Sequence, residues 1–165
     1  MMAAGLSGIA QAGCQSNATK ANMIEWSEKF ETGHSTMDAE HRMLITYFNR
    51  LEEMAHVAHP TKDELEMFLH FVDFLDNYIG MHFHDEEGLM KRFRCPAHKK
   101  NKAAHAEFKT FYHHYAGRIK NEGCHPEMIK RLHHYCSQWI QGHILHVDVE
   151  MKPCQRECWL DKEPE

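Results

Sequence analysis

The sequence predicts an all-α protein: an up-down-up-down four-helix bundle with an N-terminal arm. Three observations support this fold class. Apolar residues recur at helical spacing along four long stretches. Strand patterns are few and no internal repeat is found, and proline, glycine or a capping motif separates the stretches. Short connections between amphipathic helices favour antiparallel neighbours. At 165 residues the chain is long enough for one domain with a buried core.

The first two helices are predicted from their apolar stripes and their boundaries. The first extends from Met37 to Val57 and ends before Pro60, because the residue preceding a proline disfavours helical angles. Thr61 and Glu64 form a capping box that opens the second helix. The predicted inward stripes of these helices hold His41, Leu44, Ile45, Phe48 and Leu51, then Phe68, Phe71, Val72, Leu75, Ile79, His82 and Glu86.

The last two helices follow a break between Lys91 and Pro96. The third is predicted from Ala97 to Lys120, with Gly123 as a left-handed cap. Pro126 begins the fourth, and Pro153 is expected to stop its extension. Their inward stripes hold Asn101, Ala104, His105, Phe108, Phe111, Tyr112, Tyr115 and Ile119, then Ile129, Leu132, Cys136, Trp139, Ile140, His143, Ile144 and Val147.

Composition restricts the class of partner and the compartment. The net charge is -5 without a Lys/Arg cluster, which argues against nucleic acid. No apolar run approaches the roughly 18 residues of a membrane span, so no membrane partner is expected. We expect residues 1–22 to be a disordered tail without a secretory signal, 23–152 the domain and 153–165 a C-terminal tail. A cytoplasmic monomer or weak homo-oligomer is the expectation.

Six cysteines and sixteen histidines are present, and their roles are predicted from where each lies along the helices. A chain of this size does not require a disulfide framework. Cys154 and Cys158, at CxxxC spacing, are open to a redox or metal-binding role, but two thiols in a C-terminal tail are the preferred interpretation. The His113-His114 and His133-His134 pairs are expected on the surface, and Trp26 is expected to pack the N-terminal arm against the bundle.

Seven polar residues occupy inward positions at one end of the predicted bundle. Antiparallel topology brings the starts of helices one and three to the ends of helices two and four. These residues are His41, His82, Glu86, Asn101, His105, His143 and, one turn beyond Ile144, Asp148. Burying carboxylates without compensation is costly, so they indicate either a metal site or a hydrogen-bonded network, of which we favour the metal.

The donor types narrow the metal. Imidazole with carboxylate suits iron, zinc, copper or nickel rather than calcium or magnesium. Six such groups are too many for one tetrahedral zinc, whereas two metals bridged by Glu86 and Asp148 would use all of them. The five-residue spacing of His143 and Asp148 separates them around a regular helix. A π-bulge or a loosened last turn is needed to bring both inward.

These motifs resemble those of the bacterial hemerythrin family over residues 25–151. The resembling segments are Trp26, the Asp-Ala-Glu-His run ending at His41, the His-Phe-His-Asp-Glu-Glu run 82–87, Met90, Pro96, His105, Phe108 and the Trp-Ile-Gln-Gly-His-Ile run 139–144 followed by Asp148. The resemblance implies a non-haem, carboxylate-bridged pair of iron ions. His41 and His82 would hold one iron, His105 and His143 the other, with Glu86 and Asp148 as bridges.

The resemblance also implies a function: binding molecular oxygen for transport, storage or delivery. An oxygen, nitric oxide or iron sensor, or an iron-handling protein without reversible oxygen carriage, is the alternative. Peroxidase or oxidase activity ranks third, because no dedicated acid–base group accompanies the ligands; the protein is therefore expected not to be an enzyme.

Asn101 departs from the family pattern, which carries HxxxH in the third helix where this chain has Asn101 and His105. Water or Asn101 itself could complete the second iron site, His98 could swing in, or that iron could bind loosely. We favour the first, since His98 lies one helical turn, about 5 Å, from the ligand layer.

Overall fold

The computed structural model describes residues 23–57 and 60–154. Four helices form a bundle: α1 is Ser35–Ala55, α2 is Lys62–Arg92, α3 is His98–Glu122 and α4 is Pro126–His146. Short 3-10 turns lie at Glu28–Phe30 and Asp148–Glu150. The predicted all-α class is confirmed, with no strand within the described ranges. The expected tail 1–22 and residues 155–165 lie outside the described residues.

The helices pack around a square, with each against its chain neighbour and α1 against α4. This is the predicted up-down-up-down arrangement. The predicted stripes supply much of the core; those below 5% exposure include Leu44, Phe48, Leu51, Phe68, Val72, Leu75, Ile79, Phe108, Tyr112, Ile119, Leu132, Cys136, Ile140 and Ile144. None of the helices in 23–57 and 60–154 combines the length and apolar character needed to cross a membrane.

The capping box at the start of α2 forms as predicted. The hydroxyl of Thr61 accepts a hydrogen bond from the backbone N–H of Glu64 at 3.3 Å, and the Glu64 carboxylate accepts from the Thr61 N–H at 2.7 Å. Two donors at the helix end are thereby satisfied. Helix α1 is shifted by two residues from its predicted start and end.

The turn between α2 and α3 is a Schellman motif with an arginine at the left-handed position. Cys95 donates its N–H to the Met90 carbonyl at 2.8 Å, and Arg94 donates to Lys91 at 3.1 Å. Arg94 has φ 53°, a region where glycine is the usual residue. The hydrophobic contact typical of this motif joins Cys95 to Met90.

The N-terminal arm is fastened to α1. Asp38 accepts hydrogen bonds from both the backbone N–H and the hydroxyl of Thr32, at 2.7 and 2.8 Å. Trp26 packs against the core, and the Arg42 guanidinium lies 4.1 Å from its ring centre. The expectation that Trp26 packs the arm against the bundle is confirmed.

Helix α4 ends seven residues before Pro153. Its last helical residue is His146, and Val147 leaves the helix with φ -127° and ψ -58°. Helical geometry resumes over 151–154, with Pro153 within its first turn, where a missing N–H removes no helical hydrogen bond. The prediction that Pro153 stops the fourth helix was therefore wrong, because a backbone change at Val147 ends it first.

Candidate metal centre

All seven inward polar residues are buried at one end of the bundle. None is more than 5% exposed: His41, His82, Glu86, Asn101, His105, His143 and Asp148. Helix α1 supplies the first, α2 the next two, α3 the following two, and α4 and the 3-10 turn the last two. The convergence predicted from antiparallel topology is thus present in the structure.

The ligand atoms of these residues fall into two groups that share one carboxylate. His41, His82 and Glu86 form one group, and Glu86, His105, His143 and Asp148 form the other. Within each group the donor atoms lie within 4.8 Å of one another. Two adjacent clusters with a common glutamate are suited to two metal ions rather than one.

Both carboxylates lie between imidazoles of the two groups. Glu86 has one oxygen 3.7 Å from His41 Nε2 and the other 3.2 Å from His105 Nε2. Asp148 has one oxygen 3.4 Å from His41 Nε2 and the other 3.1 Å from His143 Nε2. Each carboxylate therefore occupies a position from which its two oxygens can bridge a metal pair.

The loosened end of α4 explains the spacing of His143 and Asp148. Val147 still donates its N–H to the His143 carbonyl at 2.8 Å. Its torsion angles, however, turn the following 3-10 turn away from the path of a regular helix. Asp148 is the first residue of that turn and is fully buried. Of the two alternatives that the sequence left open, the structure shows the loosened last turn.

Two carboxylates orient the imidazoles from outside the ligand groups. Glu40 lies 2.8 Å from Nδ1 of His82, and Glu87 lies 3.1 Å from Nδ1 of His105. Such contacts leave Nε2 of each ring available to a metal and fix its direction. Periodicity predicts no role for Glu40 or Glu87, although each is adjacent in sequence to a predicted ligand.

Aromatic rings fix two of the imidazole planes. Phe83 stacks on His105 at 3.6 Å between ring centres and an interplanar angle of 3°. Trp139 stacks on His143 at 4.2 Å and 14°. The second ligand group is thereby held by packing on one side and by a carboxylate contact on the other.

Burial shifts the pKa values of five buried groups in this layer in the direction that favours their neutral forms. Burial and then the Asp148 charge raise the pKa of Glu86 to about 8, and burial raises that of Asp148 to about 7. Burial lowers the pKa of His143 to about 4 and lowers the pKa values of His41 and His105 strongly. The imidazole lone pairs are consequently available to a cation, and a cation would offset the charge of the carboxylates.

Unsatisfied buried atoms show that the residues fit a metal. Nε2 of His41, Oε1 of Glu86 and both carboxylate oxygens of Asp148 are buried without a hydrogen-bond partner among the described residues. Buried polar atoms nearly always have a partner, so four such atoms in one layer need an explanation. Imidazole and carboxylate donors facing a common space supply it, because they suit a borderline divalent metal such as iron.

Asn101 contacts the Glu86 carboxylate, which both ligand groups share. Its Nδ2 donates to Glu86 Oε2 at 3.0 Å and approaches the Met90 sulfur at 3.2 Å, while Oδ1 is buried without a hydrogen-bond partner. His98 is half-buried at the start of α3 and belongs to neither ligand group. The geometry therefore places Asn101, rather than His98, in the layer of buried polar residues.

Of the two histidine pairs expected on the surface, three residues are exposed and one is buried. His113, His114 and His134 are exposed as expected. His133 is buried: its Nδ1 lies 2.6 Å from the buried Glu52 carboxylate, and its Nε2 contacts the Ser137 hydroxyl at 2.8 Å. The surface prediction for His133 was wrong, because the Glu52 carboxylate on α1 and the Ser137 hydroxyl provide polar contacts for both ring nitrogens in the interior.

The fold and this donor set agree with the comparison with known families. The model of the hemerythrin HHE cation binding domain matches residues 32–154. The chain therefore belongs to the hemerythrin HHE domain family, and the predicted resemblance is confirmed. Among curated proteins, no sequence matches this chain.

Proposed function

We propose that this chain holds two non-haem iron ions and binds molecular oxygen reversibly, as a carrier, store or delivery protein. The observation that carries the proposal is the pair of buried ligand groups that share Glu86, with Asp148 facing both. Membership of a cation-binding family supports metal binding, and the imidazole-rich donor set supports iron.

The proposed ligand roles follow the two groups. His41 and His82 would hold one iron, His105 and His143 the other, and Glu86 and Asp148 would bridge them. When bound, the iron pair supplies the electrons for reversible oxygen binding. The protein holds the ligands in place through Glu40 and Glu87 and excludes bulk water by complete burial of the layer.

The proposal is for binding rather than turnover, with molecular oxygen as the partner. Stacked rings flank the second ligand group, including Phe83 and Trp139, and these restrict access of water and protons. A dry site slows irreversible oxidation, which is the requirement for releasing oxygen intact.

Asn101 supports a second candidate function. It donates to Glu86 rather than offering an imidazole, so the second iron would have one strong ligand fewer than the family pattern implies. A weaker or more open second site suits a protein whose iron state reports oxygen, nitric oxide or iron level. Reversible oxygen binding and irreversible oxidation distinguish the two candidates.

Iron stoichiometry tests the metal part of the proposal. Anaerobic titration with Fe(II) should show two ions per chain, as in other bridged sites of helix bundles. His82→Ala and His143→Ala, which each remove a ligand of one group, should lower the occupancy of that group. His113→Ala is the control, because His113 is exposed on α3 and lies outside both groups. Binding of a single ion by the unaltered protein would contradict a bridged pair.

A further inference from the structure

A second cluster beside the metal centre is rich in sulfur. It is separate from the main core and consists of Met37, Met90, Cys95, Ala97, Met151 and Cys154, each at most 5% exposed. Met90 is also the residue whose sulfur contacts Asn101. Three thioethers and two thiols are thus packed together at one end of the bundle.

The two thiols of this sulfur cluster converge on one atom. Cys95 donates to the Glu150 carbonyl oxygen at 3.6 Å, and Cys154 donates to the same oxygen at 3.4 Å. Cys95 comes from the α2–α3 turn and Cys154 from the helical segment 151–154. The prediction that Cys154 is a thiol in a C-terminal tail was wrong, since this cysteine is buried beside a thiol far away in sequence.

We infer that the sulfur cluster is a binding site for a soft monovalent cation, Cu(I), with Cys95 and Cys154 as thiolate ligands and Met90 as the neighbouring thioether. Thiolate and thioether ligands select Cu(I) among the biological metals. Structural zinc requires four ligands from cysteine and histidine. Neither cysteine belongs to a group of three or more His, Cys, Asp or Glu side chains among the described residues, so zinc lacks its ligands here.

A route from solvent and the charge of the neighbouring side chains also suit Cu(I). A cavity of about 390 Å³ is lined by Met90 and Cys95 and by three cationic side chains, Lys91, Arg94 and Lys99. On binding, each thiol releases its proton to solvent, and Cu(I) with two thiolates carries one negative charge. The three cations that line the cavity on the Cys95 side stabilise that charge, whereas a purely apolar core would oppose it.

Methionine alone would not carry this inference, because methionines commonly fill gaps in cores. Core packing does not explain why two thiols from separate elements converge. It also does not explain the cationic cavity that reaches one of them. The proposal does not rest on the iron proposal, since neither cysteine belongs to the two His/carboxylate groups. Met90 lies between the two sites, because its sulfur contacts Asn101.

Competitive titration with Cu(I) tests the site. The metal-free, reduced full chain is titrated anaerobically with Cu(I) in the presence of a chromophoric Cu(I) chelator. We expect one tightly held ion, with sulfur as the nearest neighbour of copper in X-ray absorption. Cys95→Ser and Cys154→Ser should each weaken the affinity by about 100-fold or more, since loss of even an indirect partner of a metal costs 10–100-fold.

Two control variants separate this pairing from others. Cys124→Ser removes a half-buried thiol outside the sulfur cluster, and Cys158→Ser removes the CxxxC neighbour of Cys154. Both should leave Cu(I) affinity unchanged. Equal affinity in the unaltered protein and Cys95→Ser, or a copper neighbour shell of nitrogen and oxygen, would overturn the inference.

A measurement on the unaltered protein covers the case in which a serine variant fails to fold. Alkylation of each cysteine is followed by mass spectrometry with and without one equivalent of Cu(I). Cys95 and Cys154 should both be protected by copper, while Cys124 should react at the same rate. Protection of other cysteines alone, or of none, rejects the site.

Discussion

At the scale of single residues, the direction of each imidazole depends on side chains that would not touch the metal. Glu40 contacts His82 and Glu87 contacts His105, each through the nitrogen that faces away from the ligand group. These carboxylates make the opposite nitrogen more basic and hold the ring in place. The metal centre is therefore built from contacts that extend beyond its six proposed ligands.

Glu40→Gln should weaken iron binding at the His41 and His82 group by about 10–100-fold, because the charged partner of His82 is lost while its shape is kept. Anaerobic Fe(II) titration measures the change. Glu66→Gln is the matched control, since Glu66 is exposed on the same helix as His82 and lies 4.0 Å from the exposed His70. Equal losses in the two variants would show that general charge, not orientation of His82, is responsible.

Asn101→His should tighten the second iron and slow its irreversible oxidation, because it supplies an imidazole where the amide now donates to Glu86. The rate of loss of the oxygenated spectrum in air measures this effect. Asn77→His, at an exposed position of α2, controls for an added histidine. Iron content and oxidation rate identical to those of the unaltered protein would contradict a ligand role at position 101.

The inward position of a ligand could be predicted from the sequence where a polar residue stands at a position of an otherwise apolar stripe. His82 and Glu86 continue the pattern of Leu75 and Ile79, so their inward position followed from periodicity. Glu40 could not be found this way, because it lies at the edge of the stripe and is defined by a contact with another helix. His133 failed for the same reason: its burial depends on Glu52, a residue of α1.

At the scale of elements, the ends of helices decide the geometry of the metal centre. A regular helix through Val147 would direct Asp148 away from His143, whereas the observed 3-10 turn buries its carboxylate beside that imidazole. Sequence analysis could require a local irregularity here but could not choose its type. The choice depends on tertiary packing of the following segment, where Met151 is fully buried.

Arg94→Gly should raise the free energy of unfolding by about 1 kcal/mol, because glycine adopts the left-handed angle of the Schellman turn without a Cβ clash. Chemical denaturation of the metal-free protein measures it. Arg131→Gly is the control at an exposed position within α4, where glycine should lower stability by about 1 kcal/mol. A loss of stability in both variants would argue against strain at Arg94.

At the scale of the whole molecule, antiparallel topology is what unites ligands separated by more than 100 residues of sequence, from His41 to Asp148. This arrangement followed from four amphipathic segments with short connections, so the layer was predictable. The sulfur cluster was not, because the meeting of Cys95 and Cys154 depends on the path of the chain after Val147.

The metal-free protein should lose stability as the pH rises from about 6.5 to 8. Folding raises the pKa values of Glu86 and Asp148 to about 8 and 7 from 4.5 and 3.8, so the folded state binds more protons in this window. The lowered pKa values of His41, His105 and His143 keep these rings neutral in the folded state. The unfolded rings lose their protons near pH 6.5, so their smaller opposing contribution is confined to the lower end of this window. Denaturation midpoints at the two pH values measure the effect.

Bound iron should reverse this trend, because metal replaces the protons and binds better as the carboxyl groups ionise. Glu86→Gln, which removes one of the titrating groups, should flatten the slope of the metal-free protein. A metal-free protein that becomes more stable toward pH 8 would contradict the assignment of raised carboxyl pKa values to this layer.

The central proposal is a buried iron pair that binds oxygen reversibly, and optical absorption tests it most directly. Iron-loaded, anaerobically reduced protein is exposed to oxygen, and the oxygen is then removed. We predict a near-ultraviolet and visible band that appears with oxygen and disappears on its removal over repeated cycles. A ferric spectrum that persists after removal, or no spectral change, would contradict reversible oxygen binding and favour the sensor or iron-handling alternative.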